Sequence, residues 1–349
     1  MNKSAPRLLV LTALAVSVVL VACEREREPV GAHVEFIFEN TSRRLCAGSV
    51  PHLNHYVERV FEFFDELVPE DFSVPVRVVQ MTPCGEHEGC YRPREDAIYV
   101  EALDKAFDRT GGVLRHELSH AVIDRVWGES VPFFEEGLAE SLSRTYAWSL
   151  GSSEAAPVSG MLDGESGGLD YVAAARFVRF LIDTRGISRF KQMFQAASDR
   201  TQDSIRMTFM DVYGEDFETL EAEYLSGAPR CTFQVDICDE EKAERVGSSW
   251  SLTFAASCDD PDFYGSIGKE DQTIATQRTV LVESAGSYHL SSSSPVLLAR
   301  CGDCDQQFTP TLLLGDTDIE LEEGLYTLEF TLTKDAVVTF ALVSETVDP

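Results

Sequence analysis

The chain of 349 residues has little positive charge: 29 lysines and arginines stand against 59 aspartates and glutamates, giving a formal net charge of −30. Such a chain is repelled by phosphate backbones and anionic head groups, which argues against nucleic acid as a partner. The sequence also lacks a glycine-rich phosphate loop, a G-x-S-x-G nucleophile elbow and a basic patch with interspersed aromatics. These absences remove the usual sequence signatures of phosphate-loop NTPases, α/β-hydrolase-type serine enzymes and nucleic-acid-binding surfaces.

No long apolar run is present beyond Leu8–Ala22, which follows Lys3 and Arg7 and is too short for a comfortable membrane span. The run ends in L-V-A-C at Cys23, which resembles the lipobox of bacterial lipoproteins. The resemblance implies a signal peptide over residues 1–22, lipid attachment at Cys23 and a location in the bacterial cell envelope. Membrane contact would then depend on the N-terminal lipid alone. The alternative is an ordinary secretory signal with an incidental cysteine.

Cysteines are few but even in number once Cys23 is set aside, which suits disulfides in an oxidising compartment. The remaining eight are Cys46, Cys84, Cys90, Cys231, Cys238, Cys258, Cys301 and Cys304. We expect four disulfides, one of which closes a small loop between Cys84 and Cys90. Three cysteines precede residue 229 and five follow it, so full pairing requires at least one bridge between the two halves.

Changes in charge and in hydrophobic periodicity along the sequence divide the chain into a charged tether at 23–32, a domain of mixed strands and helices at 33–229, and an all-β domain at 230–349. The fold class predicted is therefore α+β followed by a β-sandwich. In the first domain, period-two and period-3.6 patterns predict strands and helices. The predicted strands are His33–Glu39, Val74–Gln80 and Ala97–Glu101, and the predicted helices are His52–Leu67, Tyr171–Thr184, Arg189–Ala197, Asp203–Tyr213 and Phe217–Leu225.

After residue 230, short alternating runs separated by turn residues predict the strands of a sandwich. These runs are Trp250–Phe254, Thr279–Glu283, Ser287–Ser291, Val296–Ala299, Thr311–Leu314, Gly324–Leu332 and Val337–Val343. The acidic stretch of Asp316, Asp318 and Glu320 offers oxygen ligands to Ca²⁺. We favour a solvated acidic loop there over a calcium site.

Two of the seven histidines stand at a spacing that suits one shared metal ion. In a helix, His116 and His120 at positions i and i+4 project from one face, as two nitrogen ligands of a tetrahedral Zn²⁺ require. Glu117 stands to the side, where a carboxylate can reach a water at the metal without binding the metal itself. Gly128 can end this helix. The alternative is a pair of half-buried histidines on an ordinary amphipathic helix.

A second acidic segment follows just downstream. Pro132 suits the first turn of another helix, which carries Glu136 and Glu140 four residues apart on one face. Glu136 fits as the third metal ligand, and Glu140 as the carboxylate that fixes the tautomer of a ligand imidazole. Glu135 competes for the ligand role, but its i+4 position is Ala139. We therefore expect Glu135 on a solvated helix face.

The segment H-E-L-S-H, fifteen intervening residues and E-G-L-A-E resembles the gluzincin metallopeptidases, specifically the peptidase-MA-like group, over roughly residues 33–229. Metzincins are disfavoured because Ile123 and Val126 occupy the positions of their glycine and third ligand. No G-x-M-E-N segment is present, so the resemblance does not imply an aminopeptidase. It implies that the strand Ala97–Glu101 borders the cleft and pairs with an extended peptide. The C-terminal part is similar to β-sandwich modules of secreted bacterial peptidases.

The resemblance therefore implies a monomeric zinc endopeptidase acting on a protein or peptide. Zn²⁺ on the three predicted ligands would activate a water, and Glu117 would take its proton and pass it to the leaving amine. Tyr171 is a candidate for stabilising the oxyanion, with a place in the helical core as the alternative. The competing hypothesis is a non-catalytic envelope lipoprotein, in which the zinc lobe is a scaffold and the β-sandwich binds a partner.

Overall fold

The computed structural model describes residues 33–39, 43–85, 87–101, 108–143, 155–162, 168–197, 201–228, 233, 235, 238, 242–267, 273–301 and 311–344. The predicted signal peptide, the lipidation site Cys23 and the tether lie outside the described residues. Cys231 and Cys304 also lie outside them. Within the described ranges, no helix is long and apolar enough to cross a membrane.

The N-terminal part combines strands and helices, as predicted. Its elements are β1 (Val34–Phe38), β2 (Arg44–Leu45), α1 (Ser49–Phe63), β3 (Val74–Val78), β4 (Gly89–Arg92), β5 (Ala97–Val100), α2 (Asp108–Trp127), α3 (Pro132–Ser143), α4 (Tyr171–Arg185), α5 (Ile187–Ala196), α6 (Gln202–Tyr213) and α7 (Phe217–Gly227). A four-stranded sheet has the order β1-β3-β5-β4, in which β4 is antiparallel to β5 and the other pairs are parallel.

The strand and helix patterns follow from burial. In β3 the residues Val74, Val76 and Val78 are buried while the two between them are half-buried, which is the period-two alternation of a strand with one covered face. The helices after residue 170 bury their apolar faces against one another, and many of the fully buried aromatic side chains lie here. Local caps define their ends: Asp170 accepts the N–H of Ala173 at the start of α4, and Gly186 at φ +85° follows its last residue.

The C-terminal part is rich in β structure. Its strands are β6 (Arg245–Val246), β7 (Ser249–Ala255), β8 (Tyr264–Ile267), β9 (Thr273–Val282), β10 (Gly286–Arg300), β11 (Thr311–Leu321), β12 (Gly324–Thr333) and β13 (Val337–Ser344). They follow the order β2-β8-β9-β12-β10-β13-β7-β6, with β11 also paired to β10. The prediction of two strands within 286–300 was wrong. A register shift between Ser292 and Val296 lets one long strand pair first with β13 and then with β12.

The prediction of an acidic loop around Asp318 was also wrong, because β11 continues to Leu321. The acidic residues Asp316, Asp318 and Glu320 alternate along this strand on its exposed face. Asp318 lies opposite His289, and its carboxylate is 2.7 Å from His289 Nδ1. Among the described residues, these carboxylates do not converge into a group that could hold Ca²⁺.

The two parts are joined by a strand and a disulfide. The short strand β2 pairs with β8, so the N-terminal part supplies an edge strand to the C-terminal sheet. The disulfides between described residues are Cys46–Cys258, Cys84–Cys90 and Cys238–Cys301. The predicted small loop and the predicted bridge between the two halves are therefore both confirmed.

Candidate metal centre

Helix α2 supplies the two histidines. It buries Leu114, Leu118 and Val122 on the face opposite the cleft, at the spacing expected of an amphipathic helix. The helix ends where the sequence predicts, because Gly128 adopts a left-handed conformation at φ +82° and donates its N–H to the carbonyl of Asp124. His116 and His120 therefore lie one turn apart near the middle of α2, whose C-terminal end is capped by Gly128.

Helix α3 supplies the acidic residues. It begins at Pro132, as predicted, and the carbonyl of Val131 accepts N–H groups of its first turn. Gly137 lets this helix approach α4 closely, since a Cβ added at Gly137 would lie 2.8 Å from a methyl of Val178 and 2.9 Å from the carbonyl oxygen of Ala174. Close packing of α3 against α4 therefore sets the position of the neighbouring Glu136.

The three predicted ligand atoms meet at one point. His116 Nε2 lies 3.0 Å from Glu136 Oε2, His120 Nε2 lies 3.1 Å from the same oxygen, and the two nitrogens are 3.1 Å apart. A tetrahedral zinc ion with bonds of about 2.0–2.1 Å would hold its ligand atoms about 3.3 Å apart. The triangle is thus close to the size that one small cation requires, and the group could hold a metal ion.

Burial and neighbouring charges shift the pKa values of Glu136 and His116 in opposite directions. Burial by itself would raise the pKa of Glu136, but the charge and hydrogen bonds of His120 and His116 outweigh it and hold that pKa well below its usual range. Burial would lower the pKa of His116, yet its contacts with Glu136 and Glu140 and the charge of Glu117 hold it well above the ordinary value. Without a metal, the site therefore favours a proton on His116.

Glu140 lies behind the first histidine. Its Oε2 atom is 3.3 Å from Nδ1 of His116, and its side chain is 1% exposed. Ser143 Oγ lies 3.5 Å from the same nitrogen. A carboxylate facing Nδ1 favours the tautomer with its proton there, which leaves Nε2 with a lone pair directed at the other two ligand atoms. This is the geometry expected of Glu140 from its spacing in the sequence.

Glu117 lies beside the metal group but outside it. Its side chain is buried in the cleft, and its Oε2 atom accepts the backbone N–H of Tyr91 at 2.7 Å. The second carboxylate oxygen can accept a further hydrogen bond. The structure thus places a buried carboxylate next to the first histidine, where a water could be held between it and a metal ion.

The cleft in front of the metal group has a volume of about 520 Å³. Tyr171, at the start of α4, lines it, and its ring centroid is 6.0 Å from that of His116. Glu135 also lines it, and its Oε1 atom accepts the N–H of Ser130 at 2.5 Å. Burial raises the pKa of Glu135. The prediction that Glu135 lies on a solvated helix face was therefore wrong: the turn before α3 folds over this carboxylate.

The strand that borders the cleft differs from the expectation. Ala97–Glu101 was predicted at the edge, but β5 lies between β3 and β4 and is interior. The edge strand is β4, which sequence patterns did not predict and which turns into β5 through residues 93–96. Gly89 allows β4 to lie against α2, since a Cβ there would be 2.7 Å from a methyl of Val113.

Sequence reasoning also missed Tyr91, Asp124 and Glu129, which are among the residues that line the cleft. Asp124 could have been found, because it stands four residues after His120 and so shares its helix face. No sequence pattern indicates Tyr91, because its position in the cleft depends on the pairing of β4 with β5.

No known protein family and no curated protein matches the sequence. Among solved structures, the pre-peptidase C-terminal domain of a collagenase from Bacillus anthracis is similar at a TM-score of 0.20 and 17% identity, over 30% of this chain and 94% of that one. The structure of Phpd with cadmium complexed with hydroethylphosphonate is similar at a TM-score of 0.09 and 12% identity, over 49% of this chain and 38% of that one. Neither likeness is strong enough to assign a fold or a function to this chain.

Proposed function

We propose that the chain is a zinc-dependent peptidase of the gluzincin type. The observation that carries the proposal is the convergence of His116, His120 and Glu136 within 3.1 Å of one another in a cleft that also holds Glu117. Two imidazoles and one carboxylate are the donor set of many catalytic zinc sites, in which the fourth position is left for water or substrate. The buried carboxylate of Glu140 supports the same interpretation, because metal-binding histidines are usually held by such a partner.

Zinc bound by these three side chains would polarise the scissile carbonyl and lower the pKa of water. The residues of the chain supply the remaining chemistry. Glu117 takes the proton of the attacking water and passes it to the leaving amine, a transfer that requires hydrogen-bond reach to both groups. Tyr171, with its ring beside His116, is our candidate for a phenol that donates to the developing oxyanion.

The substrate we propose is an extended peptide that pairs with the edge strand β4. The carbonyl of Glu88 accepts the N–H of Glu101 on the inner side, whereas the N–H of Tyr91 turns toward Glu117 on the outer side. The alternation of an antiparallel strand therefore directs the backbone groups of Gly89 and the carbonyl of Tyr91 outward into the cleft, where a peptide can pair with them, while the N–H of Tyr91 is already donated to Glu117. Strand pairing recognises peptide backbone without requiring a chain end, which favours an endopeptidase.

The remaining parts of the proposal concern architecture and location. We propose that the helices and the four-stranded sheet form a gluzincin-like domain and that the β-rich part is a sandwich. The lipobox-like sequence before Cys23 supports a lipid-anchored protein of the bacterial cell envelope.

The test joins metal analysis to a protease assay. We expect the purified chain to hold one zinc ion and to cleave casein or a peptide library, with the activity lost to 1,10-phenanthroline and restored by zinc. Glu117→Gln should keep zinc and lose at least about a hundredfold in kcat, within the range for a general base. Glu135→Gln is the matched control, since its carboxylate lines the same cleft but holds Ser130. Zinc binding without any cleavage would favour the scaffold hypothesis instead.

A further inference from the structure

Tyr91 contacts the metal-binding helix at two points. Its backbone N–H donates to Glu117 Oε2 at 2.7 Å, and its phenol lies 3.1 Å from Asp124 Oδ2. Glu117 and Asp124 stand seven residues apart in α2, about two turns, and therefore share one face of the helix. A single residue of the edge strand thus spans the face of α2 that carries Glu117.

The phenol is suited to hold this position. Burial, followed by the charges of Asp124 and Asp96, raises the pKa of Tyr91 well above its usual range, so the phenol stays protonated and donates. Its one proton is shared between Asp124 at 3.1 Å and Asp96 Oδ1 at 3.0 Å, and Asp96 belongs to the turn that follows β4. The side chain therefore ties its own hairpin to the helix.

We propose that Tyr91 is a positioning residue for the general base: its phenol, anchored on Asp124, fixes β4 over α2 and so holds the backbone N–H against Glu117. This inference rests on the proposed peptidase function, because it assigns Glu117 as the base. A glutamate has three side-chain torsions, and a hydrogen bond to one oxygen restricts them while leaving the other oxygen for water. A displacement of about 1 Å in such a group can lower the rate about a hundredfold.

The neighbouring strand offers a matched control. Tyr99, in β5, also donates its phenol to a carboxylate of the same turn, that of Glu95. This bond is exposed and the Tyr99 phenol makes no contact with α2 among those described. Loss of the Tyr99 hydroxyl therefore measures how the removal of one phenolic O–H affects the hairpin when no contact with Glu117 is involved.

The experiment compares four variants of the full chain loaded with zinc: Tyr91→Phe, Asp124→Ala, Asp124→Asn and Tyr99→Phe. Turnover of a peptide substrate gives kcat and KM, metal analysis gives zinc content, and hydrogen exchange resolved to single amides follows the Tyr91 N–H. The exchange measurement needs no activity, so it tests the clamp even if the chain cleaves nothing.

We expect Tyr91→Phe and Asp124→Ala to lower kcat about tenfold or more, with KM within about twofold and zinc content unchanged. In both variants the backbone N–H of residue 91 should exchange about tenfold faster than in the parent chain. Asp124→Asn keeps an oxygen that accepts from the phenol and should stay within about threefold of the parent chain in both measurements. Tyr99→Phe should match the parent chain.

The proposal is overturned if Tyr91→Phe exchanges and turns over like the parent chain. It is equally overturned if exchange at Tyr91 becomes faster while kcat is unchanged, or if Tyr99→Phe loses as much as Tyr91→Phe. If the parent chain binds zinc but cleaves nothing, the peptidase proposal fails on its own, and the exchange rates still decide whether Tyr91 holds Glu117.

Discussion

Replacing Glu140 with glutamine tests whether the buried carboxylate behind His116 strengthens metal binding. The two groups lie 3.3 Å apart, with Glu140 1% and His116 9% exposed, so solvent screens their interaction very little. A hydrogen bond to a charged group contributes about 1.5–3 kcal/mol. Since 1.4 kcal/mol corresponds to about tenfold in an equilibrium constant, the substitution should weaken zinc binding about 10- to 100-fold.

Competition with a fluorescent zinc chelator measures this change directly. Glutamine keeps the size of the side chain and can still accept from Nδ1, so the loss reports the charge rather than a cavity. Glu135→Gln is the control in the same helix, because that carboxylate holds Ser130 instead of an imidazole. Zinc affinity within twofold of the parent chain in Glu140→Gln, or an equal loss in Glu135→Gln, would refute the role assigned to Glu140.

Three further predictions follow from the same geometry. Because the pKa of His116 is raised without metal, that histidine carries a proton which zinc must displace. The apparent dissociation constant should therefore fall about tenfold per pH unit above pH 6.5, until the pH exceeds the raised pKa, as calorimetry in buffers of different ionisation enthalpy can measure. In the metal-free chain, the stability that this proton supplies is present below the unfolded value and is lost as pH rises through the folded pKa; affinity independent of pH would contradict both. Gly137→Ala should lower the free energy of unfolding by about 1–3 kcal/mol, because its Cβ would overlap the backbone of α4. Gly227→Ala meets no atom within 4 Å and should change urea unfolding far less.

The parts of the site that the sequence predicts correctly are those set by local geometry. A spacing of four residues within a helix places His116 and His120 on one face, and Glu136 and Glu140 on one face, independently of the rest of the chain. Pro132 and Gly128 mark helix ends through their own backbone preferences, so the end of α2 and the start of α3 also follow from local sequence.

The errors lie where pairing or burial depends on distant residues. The strand β4 is G-C-Y-R, which has no alternating apolar pattern, and it forms because it pairs with β5 and is closed by the disulfide at Cys90. The position of Glu135 was misjudged because an amphipathic pattern separates apolar from polar faces but does not distinguish a cleft from open solvent. Both errors concern residues that line the cleft.

The contact between the two parts of the chain reaches α2, the helix that carries His116 and His120. Arg115, which precedes His116, is 3% exposed, and one of its guanidinium nitrogens lies 2.8 Å from Nε2 of His52. Burial, followed by the charge of Arg115, lowers the pKa of His52, so the imidazole is neutral and accepts from the guanidinium. The ring of His52 stacks on Tyr264 of β8, with centroids 3.8 Å apart and planes 8° apart.

This chain of contacts changes how the C-terminal part is interpreted. A module attached only by a linker could be removed without consequence for the metal centre. Here the C-terminal sheet takes β2 as one of its strands and is bonded covalently to Cys46. Its Tyr264 also stacks on the neutral imidazole that accepts from one nitrogen of the buried Arg115 guanidinium. Removing the C-terminal part would take away the ring that stacks on His52, the imidazole that accepts from the buried Arg115 guanidinium. Since Arg115 and His116 are consecutive in one helix, the β-rich part accordingly supports the helix that carries the candidate metal ligands.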